Sequence, residues 1–190
     1  CTISRVTRTG RLDTATIATF SGVYVEKSSV DSLSGSWVFS NNTIEACNGR
    51  GIDLRTTSSL DRTLLFADNV ISGNLGLGMF LYNLPSTVVV ERNLLADQGY
   101  GGLYLYGAPA DSFVFRSNTV TGNDWYGLCI WRSIQQGSKA EVMGNTFVGN
   151  SGGMLLQTLA SDSVNTELLV RNNSIRAGRV LADFRALDWQ

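Results

Sequence analysis

The sequence predicts an all-β solenoid of stacked coils, each about 25 residues long, and three observations carry that expectation. Six asparagines, Asn42, Asn69, Asn93, Asn118, Asn145 and Asn173, follow one another at gaps of 27, 24, 25, 27 and 28 residues. Each is followed two positions later by an apolar side chain: Ile44, Ile71, Leu95, Val120, Phe147 and Ile175. Nine residues after four of them a glycine opens an alternating apolar run, at Gly51, Gly78, Gly102 and Gly127. The fifth copy, Gly153-Met154-Leu155-Leu156, comes one residue earlier.

Within each repeat the apolar period is two, the period of a strand rather than a helix. The first strand of a coil carries inward residues five and three positions before the ladder asparagine: Trp37 and Phe39, Leu64 and Phe66, Val88 and Val90, Phe113 and Phe115, Ala140 and Val142, Leu168 and Val170. The asparagine itself is placed at a turn, because Asn tolerates left-handed backbone geometry and its amide both donates and accepts. Stacked amides can hydrogen-bond from coil to coil. A second such ladder is expected five residues on, at Asn74, Gln98, Asn123 and Asn150. A short second strand holds the apolar residue after the turn. The Gly-led third strand points its first and third apolar residues inward. Three strands and three turns make one coil of a single-stranded parallel β-helix, and six to seven coils at roughly 4.8 Å each give a rod roughly 30 Å long.

Repeat length varies after the third strand, over Arg55 to Thr63, Tyr82 to Thr87, Tyr106 to Ser112, Trp131 to Lys139 and Gln157 to Glu167. Loops of one turn therefore line one side of the rod, the side solenoids often use for binding. Upstream, Gly22-Val23-Tyr24-Val25 matches the third strand and Cys1 to Val6 reads as one more strand; downstream, Val180 to Phe184 reads as the third strand of an irregular last coil. The chain is thus one domain over 1–190, with irregular first coils over 1–30 and regular repeats over 31–185. It is expected to be a processed or excised piece of a larger chain, whose neighbouring coils or domains would cover its open ends.

Composition bounds the function. The 190 residues are 43% hydrophobic and 16% charged, with a net charge of −1, which describes a globular chain without the basic footprint of a nucleic-acid binder. The one basic cluster, Arg5, Arg8 and Arg11, reads as a solvated first coil. No apolar run approaches the length of a membrane span, so no membrane insertion by this segment is expected. There is no histidine, which excludes a His general base, a His-ligated zinc and a Ser-His-Asp triad. No metal or other cofactor is indicated, Ca²⁺ between paired carboxylates being the one ion the residues could suit. Cys47 and Cys129 lie three coils apart, roughly 14 Å, beyond disulfide reach. Cys1 is left to pair with Cys47 or with something outside this piece.

The repeat Asn-x-[Ile/Leu/Val/Phe]-x-x-Asn-x-x-x-Gly-[apolar]-x-[apolar], over about residues 10 to 185, resembles the right-handed parallel β-helix repeat of the pectate-lyase-like superfamily. That resemblance implies the fold. It leaves the function open, because the repeat serves polysaccharide lyases, hydrolases and epimerases, phage tailspikes and large animal cell-surface proteins. Enzymes of this superfamily place carboxylates and a basic residue on an outer strand face. Here the matching positions are Glu26, Asp53 and Arg55, which could divide acid and base roles or form an ordinary surface ion pair. The paired-Asp and Gly-His-Gly motifs of the polygalacturonase type are missing, as is the Asp-Pro-His pattern of alginate epimerases.

The outward positions of the Gly-led strand are more distinctive. Phe80 and Tyr82, Tyr104 and Tyr106, and Trp131 would stack on the outside of three consecutive coils. Such a stripe suits a sugar face or the core of a protein interface. On the opposite sheet Val38, Leu65, Val89, Val114, Glu141 and Leu169 form a second outward row, with Glu91 and Arg116 paired across adjacent coils. Two sequons, Asn41-Asn42-Thr43 and Asn172-Asn173-Ser174, place glycan acceptors Asn41 and Asn172 at outward turns and point to a secreted or cell-surface location. The expectation is a non-catalytic extracellular structural or recognition domain, binding protein or glycan through the stripe. The alternatives are a carbohydrate-active enzyme fragment of the polysaccharide lyase or epimerase type acting through Glu26, Asp53 and Arg55, and a self-assembling filament or adhesion module.

Overall fold

The computed structural model describes residues 2–4, 21–27, 37–56, 63–84, 87–107, 112–134, 137–160 and 167–188. The described residues form strands and turns wound into a parallel solenoid with three sheets, of seven, seven and six strands. Sheet C holds the first strand of each coil, Trp37–Ser40, Thr63–Ala67, Thr87–Glu91, Ser112–Arg116, Lys139–Met143 and Glu167–Arg171. Sheet A holds the three-residue second strands, from Thr2–Ser4 to Ser174–Arg176. Sheet B holds the Gly-led third strands: Val23–Lys27, Ile52–Thr56, Met79–Tyr82, Leu103–Tyr106, Tyr126–Ile134, Gly152–Ala160 and Val180–Asp188. Every pairing is parallel and joins one coil to the next. The expected strand within Cys1 to Val6 is Thr2–Ser4, paired with Thr43–Glu45. Cys1, the Arg5–Arg8–Arg11 cluster and most of the connecting segments lie outside the described residues.

The alternation read from sequence fills the interior. Leu64, Phe66, Val88, Val90, Phe113, Phe115, Ala140 and Val142 of sheet C are buried, as are Ile44, Ile71, Leu95, Val120 and Phe147 of sheet A. Inward residues of sheet B close the third side: Ile52, Leu54, Met79, Leu81, Leu103, Leu105, Leu128, Ile130, Met154 and Leu156. The leading glycines are required by packing. A Cβ on Gly51 would meet Ile71 Cγ2 at 2.5 Å, and one on Gly127 would meet Phe147 Cδ1 at 2.7 Å. Cys47 and Cys129 are buried thiols, not joined to each other.

Both amide ladders form. From Asn69 to Asn173 each side-chain carbonyl of the first ladder accepts from the side-chain amide of the previous coil's asparagine, at 2.9–3.1 Å. The same oxygens accept the previous asparagine's backbone N–H at 2.9–3.0 Å. In the second ladder Asn74 donates to Gln98 Oε1 at 3.0 Å and Asn123 donates to Asn150 Oδ1 at 2.7 Å. The backbone geometry corrects one expectation. The left-handed residue is not the ladder asparagine but the one before it: Asn41, Asp68, Arg92, Ser117, Gly144 and Asn172 have φ between 54° and 63°. The preceding residue turns the chain, which leaves the asparagine side chain directed inward along the stack.

A second correction concerns coil length. The segments expected to leave the rod after Trp131 and Gln157 continue as strand to Ile134 and Ala160, with a register shift between Trp131 and Ile134.

Candidate functional site

The site is built on the outer face of sheet B, where in-register parallel pairing forces equivalent side chains into columns. One column runs Tyr24, Asp53, Phe80, Tyr104, Cys129, Leu155 and Asp183; its neighbour runs Arg55, Tyr82, Tyr106, Trp131 and Gln157, with the backbones of Glu26 and Arg185 in register at its two ends. All five residues of the expected stripe share this face and are half-buried.

Four of the five rings make one continuous block. Phe80 meets Tyr82 at 6.1 Å and Tyr104 at 5.8 Å between ring centroids. Tyr106 stacks on Tyr82 at 5.5 Å with an interplanar angle of 18°, and meets Tyr104 at 5.8 Å. Trp131 follows Tyr106 in register. The sequence reading did not include three further aromatics that extend the block around the adjacent turn. Trp125 stands edge-on to Tyr104 at 5.8 Å, stacks on Tyr100 at 4.7 Å and meets Tyr126 at 5.0 Å. Tyr100 and Trp125 each lie two residues after a second-ladder amide, Gln98 and Asn123, a shared offset that could have identified them. Burial, with lesser contributions from Cys129 and neighbouring tyrosines, pushes the Tyr104 phenol well above its ordinary value, and burial raises Tyr100 as well. Both hydroxyls stay protonated and able to donate over the whole physiological range.

At its far end the face departs from the expected outward pattern. Cys129, Leu155 and Gln157 occupy outward register positions but are 0%, 2% and 2% exposed. They lie on the strands that run on to Ile134 and Ala160, so the open aromatic face ends around Trp131.

The acidic trio assembles differently from an ordinary surface pair. Asp53 is fully buried, and both of its oxygens are occupied. Arg55 donates from Nε to Oδ1 at 2.8 Å and from Nη2 to Oδ2 at 3.0 Å, while Arg50, absent from the sequence reading, donates from Nη1 to Oδ2 at 2.6 Å. The outward register position is roofed by these two side chains, which is why an exposed pair was expected and a buried one is found. The Arg50 guanidinium lies over the Phe80 ring, 3.9 Å from its centroid, and Arg55 lies 5.5 Å from Phe80 and 5.7 Å from Tyr24. Asp53 thus fixes two cations against the first ring of the stripe. The backbone of Glu26 pairs opposite Arg55; its side chain lies outside the described residues. Among the described residues no cluster of three metal-ligating side chains occurs.

Beside the block, a cleft of about 330 Å³ opens between the turn and sheet B, lined by Arg50, Leu75, Leu77, Phe80, Tyr100 and Tyr104. A second, of about 280 Å³, lies beyond Trp125 and Tyr126 and reaches Arg179. On the opposite sheet Glu91 and Arg116 pair at 2.5 Å as expected, extended by Arg92, which bonds Glu91 and, at 2.8 Å, Asp68. Val38 is exposed in the outward row of that sheet, while Leu65, Val89, Val114, Glu141 and Leu169 are partly buried.

A family model described as a right-handed beta helix region matches residues 1–134. No curated protein and no solved structure matches the chain.

Proposed function

The chain belongs to the right-handed β-helix family, and from that premise we propose that it is an extracellular recognition domain that holds a protein or glycan partner on the aromatic face of sheet B. The observation that carries this reading is the continuous contact of Phe80, Tyr82, Tyr104 and Tyr106 with Trp125 and Tyr100. Aromatic surface on this scale, held half-buried by a rigid sheet, loses little conformational freedom on binding. Tyrosines with an apolar body and a polar tip are the residues interfaces enrich.

The state of Asp53 supports recognition over catalysis. A general acid or base needs an oxygen within reach of a substrate proton, whereas both oxygens of Asp53 are engaged by arginines beneath the surface. An extracellular location is supported by Asn41 and Asn172, the acceptors of the two sequons, which are both exposed. Expression through a eukaryotic secretory pathway should add hexose-rich mass at one or both, removable by peptide N-glycosidase.

The direct test is the triple variant Tyr82→Ser, Tyr106→Ser, Trp131→Ser. It should abolish binding to partners found on glycan and extracellular-protein arrays while leaving the circular dichroism spectrum unchanged. Undiminished binding by the folded variant would remove the stripe as the site.

A further inference from the structure

We propose that the cleft lined by Arg50, Leu75, Leu77, Phe80, Tyr100 and Tyr104 is a ligand site for an apolar carboxylate, an aryl or branched-alkyl group carrying a single acid. The proposal rests on reading this face as a recognition surface, and it adds a ligand class to that reading. Two features of the cleft point the same way.

The first is its walls. Two leucines and three aromatic rings surround a space of about 330 Å³, roomy enough for a phenyl or isobutyl group. Leu75 and Tyr100, 56% and 46% exposed, stand at the mouth. Gly99 closes the wall with backbone alone: a Cβ there would meet the Leu75 carbonyl oxygen at 2.6 Å. Among the described residues, the only neutral polar side chains in the lining are the hydroxyls of Tyr100 and Tyr104. A sugar, with several hydroxyls to satisfy, would leave most of them facing apolar wall at a large desolvation cost.

The second is the cation, the one among the described lining residues. The Arg50 side chain is 15% exposed and its guanidinium carbon lies over the Phe80 ring. It gives one donor, on Nη1, to Asp53. Its Nε and its second terminal nitrogen make no hydrogen bond to the described residues. A guanidinium fixed by a buried carboxylate, with one edge unengaged by the described residues and a place in the lining of an apolar cleft, matches the planar fork of a carboxylate. Asp53 offsets part of its charge, so one acid suffices. Two sources could present this chemistry, a free organic acid or the C-terminal residue of a peptide.

The test is titration calorimetry of the intact chain with 3-phenylpropionate, 3-phenylpropanamide, glucuronate, and a peptide ending in Phe with a free or an amidated C-terminus. The acid should bind at least tenfold more tightly than its amide and than glucuronate. Leu75→Glu, an exposed substitution at the mouth, should weaken the acid at least tenfold with the thermal midpoint unchanged, and Arg50→Lys should narrow the gap between acid and amide. A free-carboxylate peptide binding more tightly than 3-phenylpropionate would identify a peptide terminus as the source, and equal affinity a free acid. Acid and amide of equal affinity, glucuronate as tight as the acid, or no binding by any probe would overturn the proposal. The triple stripe variant separates the two readings, since none of its three positions lines the cleft. It should keep the acid while losing its macromolecular partner; if it keeps both, the stripe reading fails alone.

Discussion

Asn118 offers the sharpest test of what holds the coils together. Its Oδ1 accepts from the Asn93 backbone N–H at 2.9 Å and from Asn93 Nδ2 at 3.0 Å. Its Nδ2 donates to Asn145 Oδ1 at 3.1 Å and to Val90 O at 2.9 Å. Asn118→Leu keeps the approximate volume and removes all four. Asn93 is 2% exposed, so water cannot replace the lost acceptor. The orphaned N–H costs about 2 kcal/mol and the other three bonds about 1 kcal/mol each, offset by about 1.5 kcal/mol of apolar burial, a net loss of about 3.5 kcal/mol. For a chain of this size that is a fall in thermal midpoint of about 10 °C. Asn42→Leu is the internal control. At that partly exposed end of the ladder the side chain only donates, to Asn69 Oδ1 and Ser40 O, and the loss should be about 1 kcal/mol. Thermal and denaturant unfolding followed by far-ultraviolet circular dichroism would measure both. Equal losses at the two positions, or less than about 1 kcal/mol at Asn118, would refute the ladder as a main source of stability.

Three further outcomes follow from the same geometry. Gly102→Ala should destabilise by about 2 kcal/mol or more, because the added Cβ would run into the Gly127 carbonyl and meet Val120 Cγ1 at 2.7 Å, whereas Gly73→Ala, at φ +61° with open space around it, should cost about 1 kcal/mol; denaturant midpoints check the order. Asp53→Asn should cost about 3 kcal/mol by leaving Arg50 and Arg55 without their shared anion, and should release the Arg50 ring contact, read as a change in Phe80 chemical shifts. At Glu91 burial favours the neutral form, but bonds from Arg116 and Arg92 outweigh it and hold the carboxyl below its ordinary value of 4.5. A depressed folded value gives stability that is present above pH 4.5 and lost as pH falls through the folded value. Glu91→Gln should therefore flatten the acid limb of the stability profile, lowering stability at neutral pH and changing it least in acid.

The fold was legible because a solenoid repeats its constraints. Each coil needs a buried amide at the same turn, a glycine where the third strand begins and a period of two between them, so six imperfect copies state one rule. The site was legible only in part, for reasons that lie in the same geometry. Register gives the column a side chain belongs to, and so placed Phe80, Tyr82, Tyr104, Tyr106 and Trp131 on one face. It says nothing of what folds over the column. Asp53 was assigned to the surface by parity, yet Arg50 reaches it from the turn of its own coil and Arg55 from two positions along the strand. Cys129 and Gln157 follow the same outward parity and are buried where the third strands lengthen. Tyr100, Trp125 and Tyr126 were passed over because they sit in or beside the turn before the third strand, outside the strand pattern. The left-handed positions were displaced by one residue, since Asp68, Arg92 and Ser117 share no residue type that would announce them.

The most direct measurement is binding of the intact chain and of the Tyr82→Ser, Tyr106→Ser, Trp131→Ser variant to a combined glycan and extracellular-protein array, with each chain's fold checked by circular dichroism. The account predicts a discrete set of binders for the intact chain, lost by the equally folded variant. An unchanged set of binders in the variant, or none for either chain, would contradict the assignment of sheet B as the recognition face.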